Sequence, residues 1–508
     1  MLSPRDASTP HRYLVRYSGE VTTKGRGTRL RFLRRLEQHV HDGLRSTGWP
    51  YSVEREWSRM VVEAPPVAAE EILPRVFGIH SISPTERRDG TSLEAIVAAG
   101  RDLFRDAVAG KRFAVRARRS GDRRETFRSA DVDRALGAAL LPFAAGVDLG
   151  HPEVEVRVEI RNGIAYFFTT TIPGPGGLPL GCEGRALSLV SGGFDSAVAS
   201  WQMLRRGARL DYLFCNLGGA KHREGVLKVM RLIAERWSHG SRPRLHEVDF
   251  LPLLDAIRER TNPRYWQLIL KRLMLRAANH LARAVHSEAL VTGEVVGQVS
   301  SQTLRNLRVI SEVAERPVLR PLAGMDKDEI VALARRIGTY ELSAVVPEYC
   351  ALHPERPSTQ ANPAAVRAEE AKLDLSRLDA LVAERRVFEL RDLDLAELGD
   401  PTLAIDAVPA GARVVDVRSE AAHRAWHLPG SEHHEYFRLL ADATGFRPGE
   451  TVVFYCEVGL KSAHLAERLR ARGVQAFHFA GGMRDVLRRA RDEDAALAAA
   501  LAPVLLTD

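Results

Sequence analysis

The sequence predicts a multidomain fold of mixed class: two small α+β units, then an α/β unit on a parallel sheet, then a second, smaller α/β unit. Three observations carry this expectation. The chain has 508 residues, and at roughly 100 to 200 residues per domain it needs about three or four cores. The hydrophobic pattern changes near Ala186 from alternating strands to short apolar runs separated by helical stretches, as in a parallel sheet with crossover helices. Pro401, Pro409 and Gly411 then interrupt the chain before a further block of the same kind.

Taken in order, Tyr13 to Tyr17 reads as a strand, followed by a glycine-containing loop through Thr28. A helix is expected from about Arg29 to Arg45, with Leu30, Leu33, Leu36 and Val40 on one face. The run RFAVRARR from Arg112 predicts a strand, and a helix is expected over about Ser129 to Leu141. In EVEVRVEIRNGIAYFF, Val154, Val156, Val158 and Ile160 fall on one face and Glu155, Arg157 and Glu159 on the other. Asn162-Gly163 supplies a two-residue hairpin turn. From Ala186 the apolar runs ALSLV, DYLFCNL, ALVTGE and VLRPL mark the parallel sheet. Residues 365 to 400 hold ten acids against six bases, with Leu373, Leu375, Leu378 and Leu381 at near-helical spacing, which predicts a helical, acidic, amphipathic connector. Beyond it, ARVVDVRS, TVVFYC and AFHFAGG alternate with helices expected over Ser462 to Arg472 and Met483 to Arg489.

Composition narrows the class. Hydrophobic residues make up 45% and charged residues 27%, with mean hydropathy −0.19, the balance of a soluble globular protein. The longest apolar run, Ala495 to Leu506, contains Pro503 and falls short of the ~20 residues that span a bilayer. No membrane association is therefore expected. The start MLSPRDASTPHR is polar and lacks the apolar centre of a secretory signal, so a cytoplasmic location is expected. Cys182, Cys215, Cys350 and Cys456 are too few and too scattered for a disulfide framework or a CxxC zinc site. The net charge of +8 favours a polyanionic partner.

The strand Leu187 to Val190 runs into Ser191-Gly192-Gly193-Phe194-Asp195-Ser196 and directly into a helix near Ala197. Two glycines let backbone N–H groups face an anion, Ser191 and Ser196 add hydroxyls, and the helix start adds positive dipole. This is a phosphate site without the Gly-Lys-Ser/Thr of a Walker loop. An acid within it repels phosphate unless a cation intervenes, which assigns Asp195 to Mg²⁺. The SGGxDS string resembles the pyrophosphate loop of N-type ATP pyrophosphatases, which adenylate a carbonyl oxygen. Other elements agree with that likeness: Lys271 in LILKRLMLRAA, Gly293 and Glu294 in LVTGE, Gln298 and Gln302 in GQVSSQT, and RPLAGMDKDEI at 320–330. By residue type alone, Lys271 on an apolar helix is more often a snorkelling surface residue, and Gly293 and Gln302 fit equally a turn and a polar surface.

A second reactive loop follows strand TVVFY, where Cys456-Glu457-Val458-Gly459-Leu460-Lys461-Ser462 leads into a helix. A thiol at a helix start, ringed by N–H groups and a lysine, is expected to be reactive. The bland alternative is a buried strand-end cysteine. The CxxGxKS pattern resembles the active loop of rhodanese domains, where the cysteine carries sulfur as a persulfide, and Asp416-Val417-Arg418, His427-Leu428-Pro429-Gly430 and Gly481-Gly482 fit the same likeness. Many rhodaneses carry Arg where this chain has Lys461. A phosphatase would require Arg where Ser462 stands.

Across residues 12 to 360, YSGEVTTKG, VFGIHSISP, SLVSGGFDSAVAS, FCNLGGA, VTGEVVGQVSSQTLRNLRVI and PEYC occur in an order that resembles the tRNA 4-thiouridine synthetase (tRNA sulfurtransferase) family. The resemblance implies a ferredoxin-like domain over 1–75, a THUMP domain over 76–175, a Rossmann-like PP-loop ATP pyrophosphatase domain over 176–362, the helical linker over 363–404 and a rhodanese domain over 405–508. It implies ATP contacts from Leu189, Val190, Lys271, Gly293 and Gln302, with Ser191, Gly192, Gly193 and Ser196 at the phosphates. It makes Cys350, in PEYCALHPERPST, the partner thiol of Cys456, and assigns Cys182 and Cys215 no role. The implied partners are tRNA, a cysteine desulfurase as persulfide donor and a sulfur-carrier protein for the thiazole of thiamine.

The basic surplus lies towards the front of the chain. Lys24, Arg26, Arg29, Arg31, Arg34 and Arg35 form one cluster; Lys111, Arg112, Arg116, Arg118, Arg119, Arg123, Arg124 and Arg128 form another. Such runs are usually solvated faces, but two of them on small α+β units suit phosphate contacts with RNA. Contacts of this kind position without specifying, so selection of uridine 8 is expected to come from tRNA shape. Two other classes stay open from the residues: a 2-thiolating relative, which usually carries the CxxC cysteines absent here, and a noncatalytic RNA-binding protein, which needs neither Asp195 nor Cys456.

Overall fold

The computed structural model describes residues 8–90, 92–119, 126–346, 352, 356–394, 401–441, 444–457, 459–479 and 482–483. Two compact units emerge: residues up to Gly184 with Leu204–Arg209 and Arg236–Ser241, and the remainder.

The first unit holds two sheets. One is antiparallel, with strands β1 (His11–Tyr17), β2 (Ser52–Arg55), β3 (Arg59–Ala64), β4 (Ile79–Pro84) and, from much later in the chain, β10 (Ile172–Pro173), in the order β10-β4-β1-β3-β2. The helix Arg26–Ser46 buries Phe32, Leu33, Leu36, Val40 and Leu44 against it. This helix begins three residues ahead of expectation, after Gly25. The sheet extends past the boundary expected at residue 75, because β4 pairs along β1 from Tyr13↔Pro84 to Tyr17↔Ile79. The second sheet runs β5 (Glu86–Asp89), β9 (Ile164–Phe168), β8 (Val154–Arg161), β6 (Arg112–Arg119), β7 (Gly146–Val147). Helices Leu93–Val108 and Ser129–Leu140 cover it, and Val156, Val158 and Ile160 enter its core. The Asn162-Gly163 turn joins β8 and β9 with both residues at positive φ, 48° and 82°, as a primed hairpin turn requires.

One residue departs from the expected alternation of β8. Glu159 belongs to the polar face but is only 4% exposed, because Arg16 of β1 and Arg59 of β3 pair with its two oxygens at 3.2 and 2.7 Å. Two guanidinium groups replace the water that a lone buried carboxylate would need.

The second unit holds two further sheets. The larger runs β15 (Val318–Leu319), β14 (Ala289–Val291), β11 (Arg185–Leu189), β12 (Arg209–Asn216), β13 (Arg244–Asp249), β16 (Arg386–Glu389). Strands β11 and β14, β12 and β13, and β14 and β15 pair in parallel, and β16 runs antiparallel to β13. Strand order reverses beside β11, which makes the carboxyl ends of β11 and β14 the place for a ligand. The helix Trp266–Ala284 forms the centre of the core with Leu268, Ile269, Leu273 and Leu281.

The acidic segment expected to be a connector is part of this domain. Helices Pro363–Glu370 and Ser376–Ala383 place Val366, Leu378 and Val382 in its core, and β16 extends its sheet. Glu370 is buried between Arg272, at 2.7 Å, and Arg276, at 3.0 Å. The helical expectation stands, but the leucine stripe had a surface waiting for it. The last sheet runs β17 (Ala404–Ile405), β21 (Gln475–Phe479), β20 (Thr451–Tyr455), β18 (Arg413–Asp416), β19 (Glu432–His433), with parallel pairing throughout. The helix expected over 462–472 occupies Leu460–Arg470; that expected over 483–489 lies, beyond its first residue, outside the described residues. Among the described residues no helix is long and apolar enough to cross a membrane.

Burial works against ionisation of Glu370, but Arg276 and Arg272 outweigh it and hold the carboxyl below its ordinary value. Its stabilising effect is therefore complete above the ordinary carboxylate pKa and lost as pH falls through the lower folded value. Glu370→Ala leaves Arg272 buried without its main partner and is expected to cost about 3 kcal/mol, seen as an earlier unfolding transition in urea at pH 7 whose difference from the parent shrinks in acid.

Candidate functional site

At the reversal of strand order, β11 ends and the chain turns through Ser191, Gly192 and Gly193 into the helix Phe194–Arg205. Gly192 has φ 82°, and a Cβ there would lie 3.0 Å from Val346 and 3.1 Å from Val226. Only glycine takes that conformation without strain. Ser196 holds the turn closed: its hydroxyl donates to the Gly193 carbonyl at 3.1 Å and accepts the Ser191 N–H at 3.3 Å. His222, from the helix Gly219–Trp237, lies with Nε2 at 3.3 Å from the Ser191 carbonyl. Burial pushes its pKa down to about 4, so it is neutral and Nε2–H donates.

The loop opens on a cavity of about 270 Å³. Leu189, Val190, Ser191, Asp195, Ser196, Lys271, Gly293 and Gln302 all line it; Gly192 and Gly193 shape the turn behind. Gly293 follows β14, where a Cβ would fall 2.7 to 2.8 Å from the backbone of Asp195 and Ser196. Its absence lets one strand end approach the helix start of the other. Glu294, next in the chain, joins Lys271 at 2.9 Å to Arg320 at 2.8 Å and accepts the Thr292 hydroxyl at 3.1 Å. Burial opposes ionisation of Glu294, yet Lys271 and Arg320 keep its pKa below the ordinary value. Lys271 is thus held at the cavity wall by an ion pair.

Asp195 receives Lys327 Nζ at 2.9 Å and Gln298 Nε2 at 3.1 Å. Among the described residues no group of three or more His, Cys, Asp or Glu could hold a metal. Asp195 offers a single carboxylate at the cavity, which fits a Mg²⁺ ion only if most of its ligands come from elsewhere, and Lys327 is that carboxylate's partner. His222, Arg320 and Lys327 were not singled out from the sequence. His222 had no legible signal, because its target is a backbone carbonyl; the other two sit in RPLAGMDKDEI, a stretch that fits the family likeness as a whole without marking which of its charges face the site.

In the last domain, Cys456 directly follows β20 and is 3% exposed. Its Sγ lies 3.4 Å from the Ser462 hydroxyl, and Gly459, at φ 80°, starts the helix Leu460–Arg470. Asp416 and Arg418, at the end of β18, form a buried pair at 2.8 Å, with His423 at 3.0 Å. Arg418 lies over the Tyr455 ring at 5.4 Å, and the Tyr455 hydroxyl accepts the Leu428 N–H at 3.2 Å. Residues 416–418 and Leu428 therefore meet at Tyr455, the last residue of β20, directly before Cys456. Cys350 lies outside the described residues. Cys182 packs on the first core and burial pushes its thiol up to about 11; Cys215 is raised further, again by burial.

Of the basic residues, Lys111, Arg112, Arg116 and Arg118 are exposed and Arg119 is half-buried over Phe127 at 5.4 Å. Arg112 and Arg116 also face Asp148 and Glu155 at 3.8 and 3.3 Å. Exposed Phe143, Val147 and Leu149 belong to the same edge, where β6 pairs with β7. In the first cluster Lys24, Arg26, Arg31 and Arg34 are exposed; Arg29 is stacked on Trp57 at 4.2 Å, and Arg35 donates to the Gly181 carbonyl.

Family comparisons give these parts their class. Residues 12–83 match the ThiI ferredoxin-like domain, 90–170 the THUMP domain, 181–375 the thiamine biosynthesis protein (ThiI) family and 400–489 the rhodanese-like domain. Fold and sites together define a multidomain transferase that joins a PP-loop nucleotide domain to a rhodanese domain. The tRNA sulfurtransferase of Pyrobaculum aerophilum is 40% identical over 466 residues, 90% of this chain and 94% of its own. A probable tRNA sulfurtransferase of Aeropyrum pernix is 43% identical over 383 residues, covering 74% and 95%. A crystal structure of a 4-thiouridine synthetase–RNA complex with bound ATP superposes with TM-score 0.64 at 31% identity, over 74% of this chain and 99% of that one. The chain belongs to the tRNA sulfurtransferase family.

Gly293→Ala would push β14 away from the loop. It is expected to weaken ATP binding at least about tenfold, the equivalent of an overpacking cost of ~1.4 kcal/mol, in a titration of the full chain with labelled nucleotide.

Proposed function

We propose that this protein binds Mg-ATP, adenylates O4 of uridine 8 in tRNA, and replaces that oxygen with sulfur carried as a persulfide on Cys456, giving 4-thiouridine. The observation that carries the reading is the cavity at the Ser191–Ser196 turn, joined in one chain to a strand-end thiol in a second parallel sheet. The loop amides and the start of the helix Phe194–Arg205 receive phosphate oxygens, and Lys271, fixed by Glu294, adds a positive charge at the cavity wall. Asp195 is the group that would hold Mg²⁺, sharing its carboxylate with Lys327. Magnesium, when bound, would neutralise phosphate charge as pyrophosphate departs.

Adenylation converts a poor oxygen leaving group into AMP. The outer sulfur of the Cys456 persulfide then attacks C4 and expels AMP, leaving a C4–S–S–Cys456 link. Cys350 attacks the Cys456 sulfur, the S–S bond to the nucleoside breaks, and a Cys350–Cys456 disulfide remains for a thiol reductant to reopen. A cysteine desulfurase supplies the persulfide. The two exposed basic faces take the tRNA backbone. The reaction belongs in the cytoplasm, where tRNA, ATP and thiol reductants coexist. The match to a thiamine biosynthesis family favours a second use of the same persulfide, delivery to a sulfur-carrier protein for the thiazole of thiamine.

Unmodified tRNA incubated with the protein, Mg-ATP, cysteine and a cysteine desulfurase is expected to acquire 4-thiouridine at position 8, with AMP released, as read by nucleoside mass spectrometry. Cys456→Ser is expected to lower the rate by about 10²-fold or more. A preparation that binds tRNA and ATP but forms no thiolated base would overturn this reading and leave the thiamine role as the leading one.

A further inference from the structure

The helix that follows the Cys456 loop does not end its contacts within its own domain. Glu467, on the helix Leu460–Arg470, accepts the Ala220 N–H of the nucleotide domain at 2.8 Å. Ala220 lies in the first turn of the helix Gly219–Trp237, whose initial N–H groups have no partner within the helix. A carboxylate of the rhodanese domain therefore caps a helix of the adenylating domain, where the dipole favours negative charge. Gly219 makes room for it: at φ 70°, a Cβ there would lie 2.6 Å from Glu467 and 2.8 Å from His464. One residue beyond Glu467, Arg468 pairs with Asp255 of the nucleotide domain at 3.1 Å. His464, one turn before Arg468, is buried, with Nδ1 2.7 Å from the Tyr436 hydroxyl.

The place of this contact matters more than its strength. Leu217 and His222, on either side of Gly219 and Ala220, both line the nucleotide cavity, and His222 reaches the Ser191 carbonyl of the phosphate loop. The rhodanese helix is thus seated on the rim of the ATP pocket, and the same helix begins at the thiol loop. We infer that Glu467, Arg468 and Gly219 form a docking surface that holds the persulfide carrier against its own adenylating domain, and that Glu467 and Arg468 are positioning residues for sulfur transfer. The inference rests on the reading of Cys456 as the carrier.

The test uses the full-length chain with three readouts: hydrogen exchange at amides 220–223, sulfur transfer from thiosulfate to cyanide, and single-turnover formation of 4-thiouridine from persulfide-loaded protein. In Glu467→Lys the amides are expected to exchange about fivefold faster or more, the loss of a helix cap. Thiouridine formation is expected to fall by about 10²-fold, as for a misplaced reacting group, with cyanide-dependent transfer unchanged. Arg468→Asp should behave alike, and adding Asp255→Arg should restore thiouridine formation, which a merely misfolded domain would not allow. Thiouridine formation that is unchanged or faster in both single variants overturns the docking. A Cys456→Ser protein that keeps full thiouridine formation overturns the carrier reading instead, with the exchange data still reporting whether the domains dock.

Discussion

The nucleotide domain depends on one close approach, that of the β14 end to the start of the helix Phe194–Arg205 at Gly293. With a Cβ excluded by backbone atoms at 2.7 to 2.8 Å, the chain after β14 lies directly against Asp195 and Ser196. That contact joins the two halves of the sheet where strand order reverses, and it brings Glu294, with Lys271 and Arg320, to the cavity that the phosphate loop opens. Moving either strand end by a methyl's width separates the Ser191–Ser196 turn from Lys271 across the cavity.

Three buried carboxylates are handled in one way. Glu159, Glu294 and Glu370 are each 8% exposed or less, and each lies between two bases. A single partner rarely repays the loss of water around two charges; two partners with further hydrogen bonds do better, and the carboxyls of Glu370 and Glu294 are held below their ordinary pKa. Two of these groups tie segments distant in sequence, Glu159 to Arg16 and Arg59, and Glu370 to Arg272. The third sits at the candidate active site, where the same arrangement orients a lysine.

The two parallel sheets repeat one device. Each places a glycine-containing loop after a strand beside the reversal of strand order and starts a helix immediately beyond it, as at Gly192–Phe194 and Gly459–Leu460. In the first, two serines and open N–H groups suit phosphate. In the second, a thiol replaces the serine, and Asp416, Arg418 and Tyr455 brace the strand ends around it. One backbone arrangement thereby presents hydroxyls and amides in one sheet and a thiol in the other.

Local order was legible because it is written in local spacing. The alternation of β8, the Asn162-Gly163 turn, the SGGFDS loop and the strand-end Cys456 each occupy a few consecutive residues, and their conformations follow from glycine, hydroxyl and apolar positions within that span. Tertiary structure decided what depends on partners far along the chain. Glu159 reads as solvent-facing until two arginines a hundred or more residues away enclose it, and the acidic segment at 363–389 reads as a connector until the helix Trp266–Ala284 and β13 provide a face and an edge. His222 gains a role only when its helix lies across Ser191, and the partners of Asp195, Lys327 and Gln298, come from more than a hundred residues further along the chain. Periodicity records which side of an element is apolar; it holds no record of which distant charge will pay the cost of burying a polar one.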